Sequence, residues 1–233
     1  MADFFPDVLD KFISYSFLEE VRKKFHFEEK QEYELKAVAE AMLPSMREEA
    51  FWKSDIYSGQ GINKQETDNR MCEQVVMCLG KGLDCLQERY SEEGLLSQSY
   101  MVEVLASELL LKGYAAYNDY IRENTNWHVA RYYFFGSEET LPLEMLPGLL
   151  KELTPFVSCN SAFCMTPKKS VVFIAELTQD EKAQCRGICE GCNNVNCPNR
   201  MADDIITRKR LSLMTDMPLT YGYSRIFSHL YEL

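Results

Sequence analysis

The sequence predicts an α+β protein with a mainly helical N-terminal segment, a mixed helix-and-strand middle and a cysteine-rich C-terminal loop. Three observations lead there. Up to Arg122, apolar residues recur mostly at close to the 3.6-residue period of an amphipathic helix. After Asn124 the chain turns to aromatic and β-branched runs, the composition of strands. Four cysteines then crowd into the short run from Cys185 to Cys197.

Taken in order, Phe12, Tyr15 and Leu18-Glu19 outline a short amphipathic face. Tyr33, Leu35, Val38, Ala41 and Met42 outline a longer one. Pro44 should end or bend that helix, because proline lacks the N–H that the helix uses and its ring crowds the preceding turn. Phe51 to Tyr57 alternates enough for a strand, and Ser58-Gly59-Gln60-Gly61 reads as a turn. Two strong helices are expected next. One runs from about Glu66 to Tyr90, capped by Thr67 or Asp68, with Val75, Val76, Cys78, Leu79, Leu83 and Leu86 inward. Gly80 and Gly82 inside it are costly unless another backbone packs close. The other runs from about Leu95 to Arg122, with a stripe of Met101, Leu105, Leu109 and Ala116 and an i,i+4 pair of Glu108 and Lys112. Cys72, Cys78 and Cys85 read as small hydrophobes of this scaffold.

Beyond Asn124, Trp127 to Phe135 is an expected strand and Leu141 to Leu153 a short helix that Pro147 should disturb. Phe156 to Thr166 and Ser170 to Thr178 read as the arms of a hairpin joined at Pro167-Lys168-Lys169. There is no internal repeat. The chain divides into a helical segment (1–65), an α+β domain ending in the cysteine loop (66–200) and a tail (201–233).

Composition narrows the function. The 233 residues are 46% hydrophobic and 26% charged, ordinary for a globular chain. The formal charge is −11, from 25 Lys+Arg against 36 Asp+Glu, so a phosphate backbone would repel this surface. The basic cluster Arg208-Lys209-Arg210 is too short for a binding stripe, and nucleic acid is not an expected partner. No apolar run approaches the roughly 20 residues of a membrane span, and the start lacks the pattern of a signal peptide. The expected compartment is therefore the cytoplasm. Thiols stay reduced there, so nine cysteines point to metal binding or redox chemistry instead of disulfides.

Cys185, Cys189, Cys192 and Cys197 are spaced C-x3-C-x2-C-x4-C, with Gly187, Gly191 and three asparagines between them. Glycine and asparagine take the positive-φ turns that wrapping around one ion or cluster needs. Thiolates select zinc or iron–sulfur clusters. Zinc sites usually pair two separated C-x2-C knuckles, whereas this run is compact and ends in Cys197-Pro198. That favours an iron–sulfur cluster, with zinc as the alternative and free or transiently oxidised thiols as the bland reading. The subset Cys185, Cys189 and Cys192 also fits the C-x3-C-x2-C of radical S-adenosylmethionine enzymes, but too little chain follows it for their barrel.

Several segments between Met77 and Arg200 together resemble a known family. They are Leu79-Gly80-Lys81-Gly82-Leu83-Asp84, the helix around Ala106-Ser107-Glu108, and Gly136 with its acidic tail. Then come Leu141-Pro142-Leu143-Glu144, Met165-Thr166-Pro167-Lys168-Lys169-Ser170-Val171, and the C-x2-C-x4-C-P ending from Cys189 to Arg200. In this order they resemble the activation domain of cobalamin-dependent methionine synthase and its free-standing relatives in anaerobic bacteria. The resemblance implies a curved antiparallel sheet flanked by helices. It also implies that the chain holds S-adenosylmethionine beside an inactive Co(II) corrinoid while an electron arrives, so that the cobalt is remethylated. The implied partner is a corrinoid protein or cobalamin-dependent methyltransferase.

In that family an Arg-x3-Gly-Tyr motif contributes to S-adenosylmethionine binding. The nearest segment here starts at Arg131, reaches Gly136 one residue late, and has Ser137 where tyrosine is expected. Arg131, Gly136 and Ser137 are the candidate cofactor residues. The plainer reading makes Arg131 an ordinary strand residue with its stem packed. His26, His128 and His229 lie far apart with no motif around them, and Glu48, Glu49, Glu138 and Glu139 read as solvated surface. No nucleophile elbow, nucleotide loop or dinucleotide fingerprint is present.

Overall fold

A computed structural model describes residues 5–58, 70–137, 139–183 and 185. All fall within one compact unit, Met1–Asn194; the second unit, Val195–Leu233, lies outside the described residues. The fold is α+β, an antiparallel four-stranded sheet flanked by helices.

Three helices lead: α1 (Phe5–Phe12), α2 (Tyr15–Lys24) and α3 (Glu32–Glu49). Ser14 caps α2, its hydroxyl accepting the Phe17 N–H at 3.3 Å. Phe12 and Leu18 point inward as expected, but Tyr15 does not. In α3 the buried stripe is Leu35, Val38, Ala39, Met42, Leu43 and Met46; Tyr33 and Ala41 sit on the wet side. Pro44 does not end α3, which continues to Glu49. Inward-facing Leu43 and Met46 hold the turn on either side of the proline, so packing offsets the missing backbone bond.

Strand β1 (Phe51–Ile56) follows, then β2 (Arg70–Cys78), α4 (Gly82–Glu92) and α5 (Leu96–Asn124). Here the expected helix over Glu66 to Tyr90 is replaced by a strand, a turn and a shorter helix. The run Val75-Val76-Met77-Cys78-Leu79 is apolar at every position because β2 is buried on both faces. Val75 and Met77 face the main helical core, while Val76 and Cys78 face the other side. Thr67 and Asp68 lie outside the described residues. Cys72 and Cys78 are buried as expected, but Cys85 on α4 is exposed. On α5, Met101, Leu105 and Leu109 are buried. Glu108 and Lys112 do not pair with each other. Glu108 meets Lys24 at 2.7 Å and Lys112 meets Glu20 at 2.9 Å, so both tie α5 to α2.

The remaining elements are β3 (His128–Tyr133), α6 (Leu146–Leu153), β4 (Ser158–Cys159), β5 (Met165–Thr166) and β6 (Ser170–Thr178). Pro147 falls in the first turn of α6, where its missing N–H costs nothing, and a short 3-10 turn at Leu143–Met145 leads in. The expected hairpin about Pro167-Lys168-Lys169 does not form. Among the described residues β4 and β5 pair only with each other, and β6 runs between β2 and β3 in the order β1-β2-β6-β3. The physical reason is burial. Phe173, Ala175 and Leu177 face one side of β6 and Val172 and Ile174 the other, so β6 suits the sheet centre. The stretch before it, with Ser158, Asn160 and Ser161, cannot fill such a place.

One face of the sheet meets the helical core through α5, which packs on β3, while α1 and α2 pack on α3 and α5. There the Phe173 ring lies 4.9 Å from Tyr114, 5.6 Å from Tyr117 and 5.2 Å from Tyr132. α6 covers part of the other face through Leu146, Leu149, Leu150 and Leu153. Among the described residues, no helix is long and apolar enough to cross a membrane.

Candidate functional site

The β2–α4 turn, one of the segments that carry the family resemblance, is tightly constrained. Gly80 has φ +93°, a conformation open mainly to glycine. A Cβ there would run into the Glu49 Cβ and stand 2.7 Å from its Oε2. That same oxygen accepts the Gly82 N–H at 2.8 Å, so the last residue of α3 caps the first turn of α4. Glu49 is therefore a structural cap as well as a surface carboxylate. No local pattern around it announces this, because its partner is 33 residues away.

The turn is also locked to the segment before β6. Leu79 N–H donates to the Lys169 carbonyl at 2.9 Å, and the Asp84 carboxylate accepts the Lys168 N–H at 2.9 Å. The Lys169 ammonium donates to Glu103 and, at 3.1 Å, to Ser107 on α5. Cys78 ends β2 with its thiol against this turn, accepting the Gly80 N–H at 3.3 Å. Burial pushes that thiol above its ordinary pKa, against the opposing pull of its hydrogen bonds with Ser170 and Gly80. It is held as a neutral thiol and is a poor nucleophile.

Gly136 lies in the turn after β3 with φ +78°. Its N–H donates to the Leu141 carbonyl at 2.7 Å, and a Cβ there would come within 2.9 Å of the Leu143 Cγ. Ser137 N–H donates to the Phe134 carbonyl at 3.1 Å in the same turn. The glycine is thus explained by close approach of the chain to itself.

Arg131 sits on β3 opposite Glu176 of β6, just past an irregularity in the β3–β6 register after Val129. Its guanidinium lies 4.6 Å from the centre of the Tyr133 ring. The Tyr133 hydroxyl donates to Glu176 Oε2 at 2.7 Å, and Arg70 Nη1 meets Glu176 Oε1 at 2.6 Å. Burial, with the Glu176 hydrogen bond second, pushes the Tyr133 hydroxyl above its ordinary range. Both oxygens of a nearly buried carboxylate are thereby satisfied, which such a group requires. The sequence carries a signal for Glu176. It is the single charge inside the apolar run Val171 to Leu177, and a charge in such a run has to be paired.

Of the four predicted metal ligands, only Cys185 falls among the described residues; Cys189, Cys192 and Cys197 lie outside them. Cys185 is half-buried against the helical core. Burial first, and the nearby Cys185 thiol second, push the Tyr132 hydroxyl upward. Cys185 therefore lies within electrostatic reach of Tyr132 on β3, the strand that also carries Arg131. Among the described residues, no group of three or more His, Cys, Asp or Glu side chains is placed to hold a metal. A scan against protein-family models and a search of curated proteins found no match.

Proposed function

We propose that this chain works with a corrinoid methyl-transfer system, in reductive activation of the corrinoid. The partner is a corrinoid protein or a cobalamin-dependent methyltransferase. The observation that carries this reading is how the family-like segments meet. Leu79 to Asp84 is hydrogen-bonded to Lys168 and Lys169, across more than eighty residues of chain. Gly136 is hydrogen-bonded to Leu141 and closely approached by Leu143. Segments that are each weak alone thus support one another in pairs, within a fold of the class the resemblance implies.

In this reading Cys185, Cys189, Cys192 and Cys197 hold an iron–sulfur cluster. Four thiols of soft character suit that group, and it supplies single electrons at low potential. Arg131, Gly136 and Ser137 are the candidate contacts for S-adenosylmethionine, the methyl donor. The alternative function is a binding module that docks the corrinoid protein or methyltransferase, with zinc holding the same four cysteines.

The activity can be tested with cob(II)alamin and S-adenosylmethionine under anaerobic conditions, with titanium(III) citrate as reductant. One electron converts Co(II) to Co(I), which takes the methyl group and leaves S-adenosylhomocysteine. The Co(II) paramagnetic signal should decay at least about tenfold faster with the chain present, and methylcobalamin should accumulate. Decay at the rate of the chain-free control would overturn the activation reading.

A further inference from the structure

We infer that a cavity bounded by the end of α3, the start of β1, the β2–α4 turn and the end of α6 binds a small apolar molecule carrying both an ammonium and a carboxylate. The class is that of an apolar amino acid. The inference uses neither the cysteine loop nor Arg131, Gly136 and Ser137, so it stands or falls apart from the corrinoid reading.

The cavity has a volume of about 590 Å³, within the usual size of small-molecule sites. Its floor is apolar, formed by buried Leu153, Cys78 and Pro167. One wall is aromatic. The Phe51 ring lies 5.9 Å from Phe156, and Phe156 is 75% exposed, a large apolar surface left at the mouth. The opposite wall is fixed in place by the Glu49 cap on Gly82 and the tight approach at Gly80, so the space is pre-formed.

Charge at the rim selects the ligand. Glu48, Lys53 and Lys81 line the cavity, are exposed, and have no ion pair among the described residues. A simple cation would meet the two lysines, and a simple anion would meet Glu48 and Glu49. A molecule bearing both charges can offer its carboxylate to a lysine and its ammonium to Glu48 while its apolar body covers the floor.

Titration calorimetry of the full chain with L-phenylalanine, phenethylamine and 3-phenylpropanoate separates these terms, because the second lacks the carboxylate and the third the ammonium. L-phenylalanine should bind, and each one-charge analogue should bind about threefold to fivefold more weakly, the scale of a partly exposed ion pair. Phe156→Ala, at an exposed site and with its fold checked by circular dichroism, should weaken all three. The inference is overturned by no heat from L-phenylalanine at tens of millimolar, by equal affinities for the three compounds, or by a Phe156→Ala variant that binds like the parent.

Discussion

Replacing Phe173 with alanine is expected to lower unfolding free energy by about 3–5 kcal/mol, the range for a fully buried aromatic cut to a methyl group. Phe173 is 0% exposed and stands on β6, one of the two inner strands of the sheet. Its ring contacts Tyr114, Tyr117 and Tyr132 at 4.9–5.6 Å, with Phe134 further out at 6.4 Å. The substitution removes transfer energy and leaves a hole between β6 and α5 that rigid neighbouring rings cannot close. Two of those neighbours, Tyr117 and Tyr132, also donate hydrogen bonds, to Glu73 at 2.9 Å and to the Tyr114 carbonyl at 3.3 Å. They are therefore poorly free to move in. Because domains of this size are stable by only about 5–15 kcal/mol, the loss should be plain in urea denaturation. Phe173→Leu should cost much less. An alanine variant losing under about 1 kcal/mol would contradict this core.

Gly80→Ala is the second large effect, expected at about 2–4 kcal/mol. A side chain at positive φ costs about 1–3 kcal/mol, and losing a helix cap adds about 0.5–2. Both apply, because the new Cβ would collide with Glu49 and dislodge the carboxylate that caps α4. Gly94 provides the control. It also has positive φ, at +76°, but open space surrounds the place of its Cβ. Gly94→Ala should therefore cost only the backbone part. Equal losses at the two positions in parallel urea titrations would show that the Glu49 contact contributes nothing.

Much of the fold is legible in the sequence, for reasons that can be named. The long periodic stripe of α5 and the β-rich run of β3 mark those elements to within a few residues of their ends. The failure at β2 has one cause. A strand buried on both faces loses its alternation, and Val75 to Leu79 then imitates the buried side of a helix. The pairing of β6 with β2 and β3 is a non-local choice made by two-sided burial, and the nearby Pro167-Lys168-Lys169 turn points elsewhere. At the candidate site, the turn glycines stand out in the sequence, while the partners that explain them do not. Glu49 reads as solvent-facing because its role is set by a backbone N–H far along the chain. Arg131 reads both as an ordinary strand residue with its stem packed and as a cofactor contact. It lies on β3 with its guanidinium over Tyr133.

The cysteine run, Cys185, Cys189, Cys192 and Cys197, is where the proposed chemistry rests. The most direct measurement is the metal, sulfide and visible spectrum of the chain purified without oxygen. The proposal predicts iron and acid-labile sulfide, with a visible absorption that bleaches on reduction and is lost in Cys192→Ser. Stoichiometric zinc, with no sulfide and no visible absorption, would contradict it.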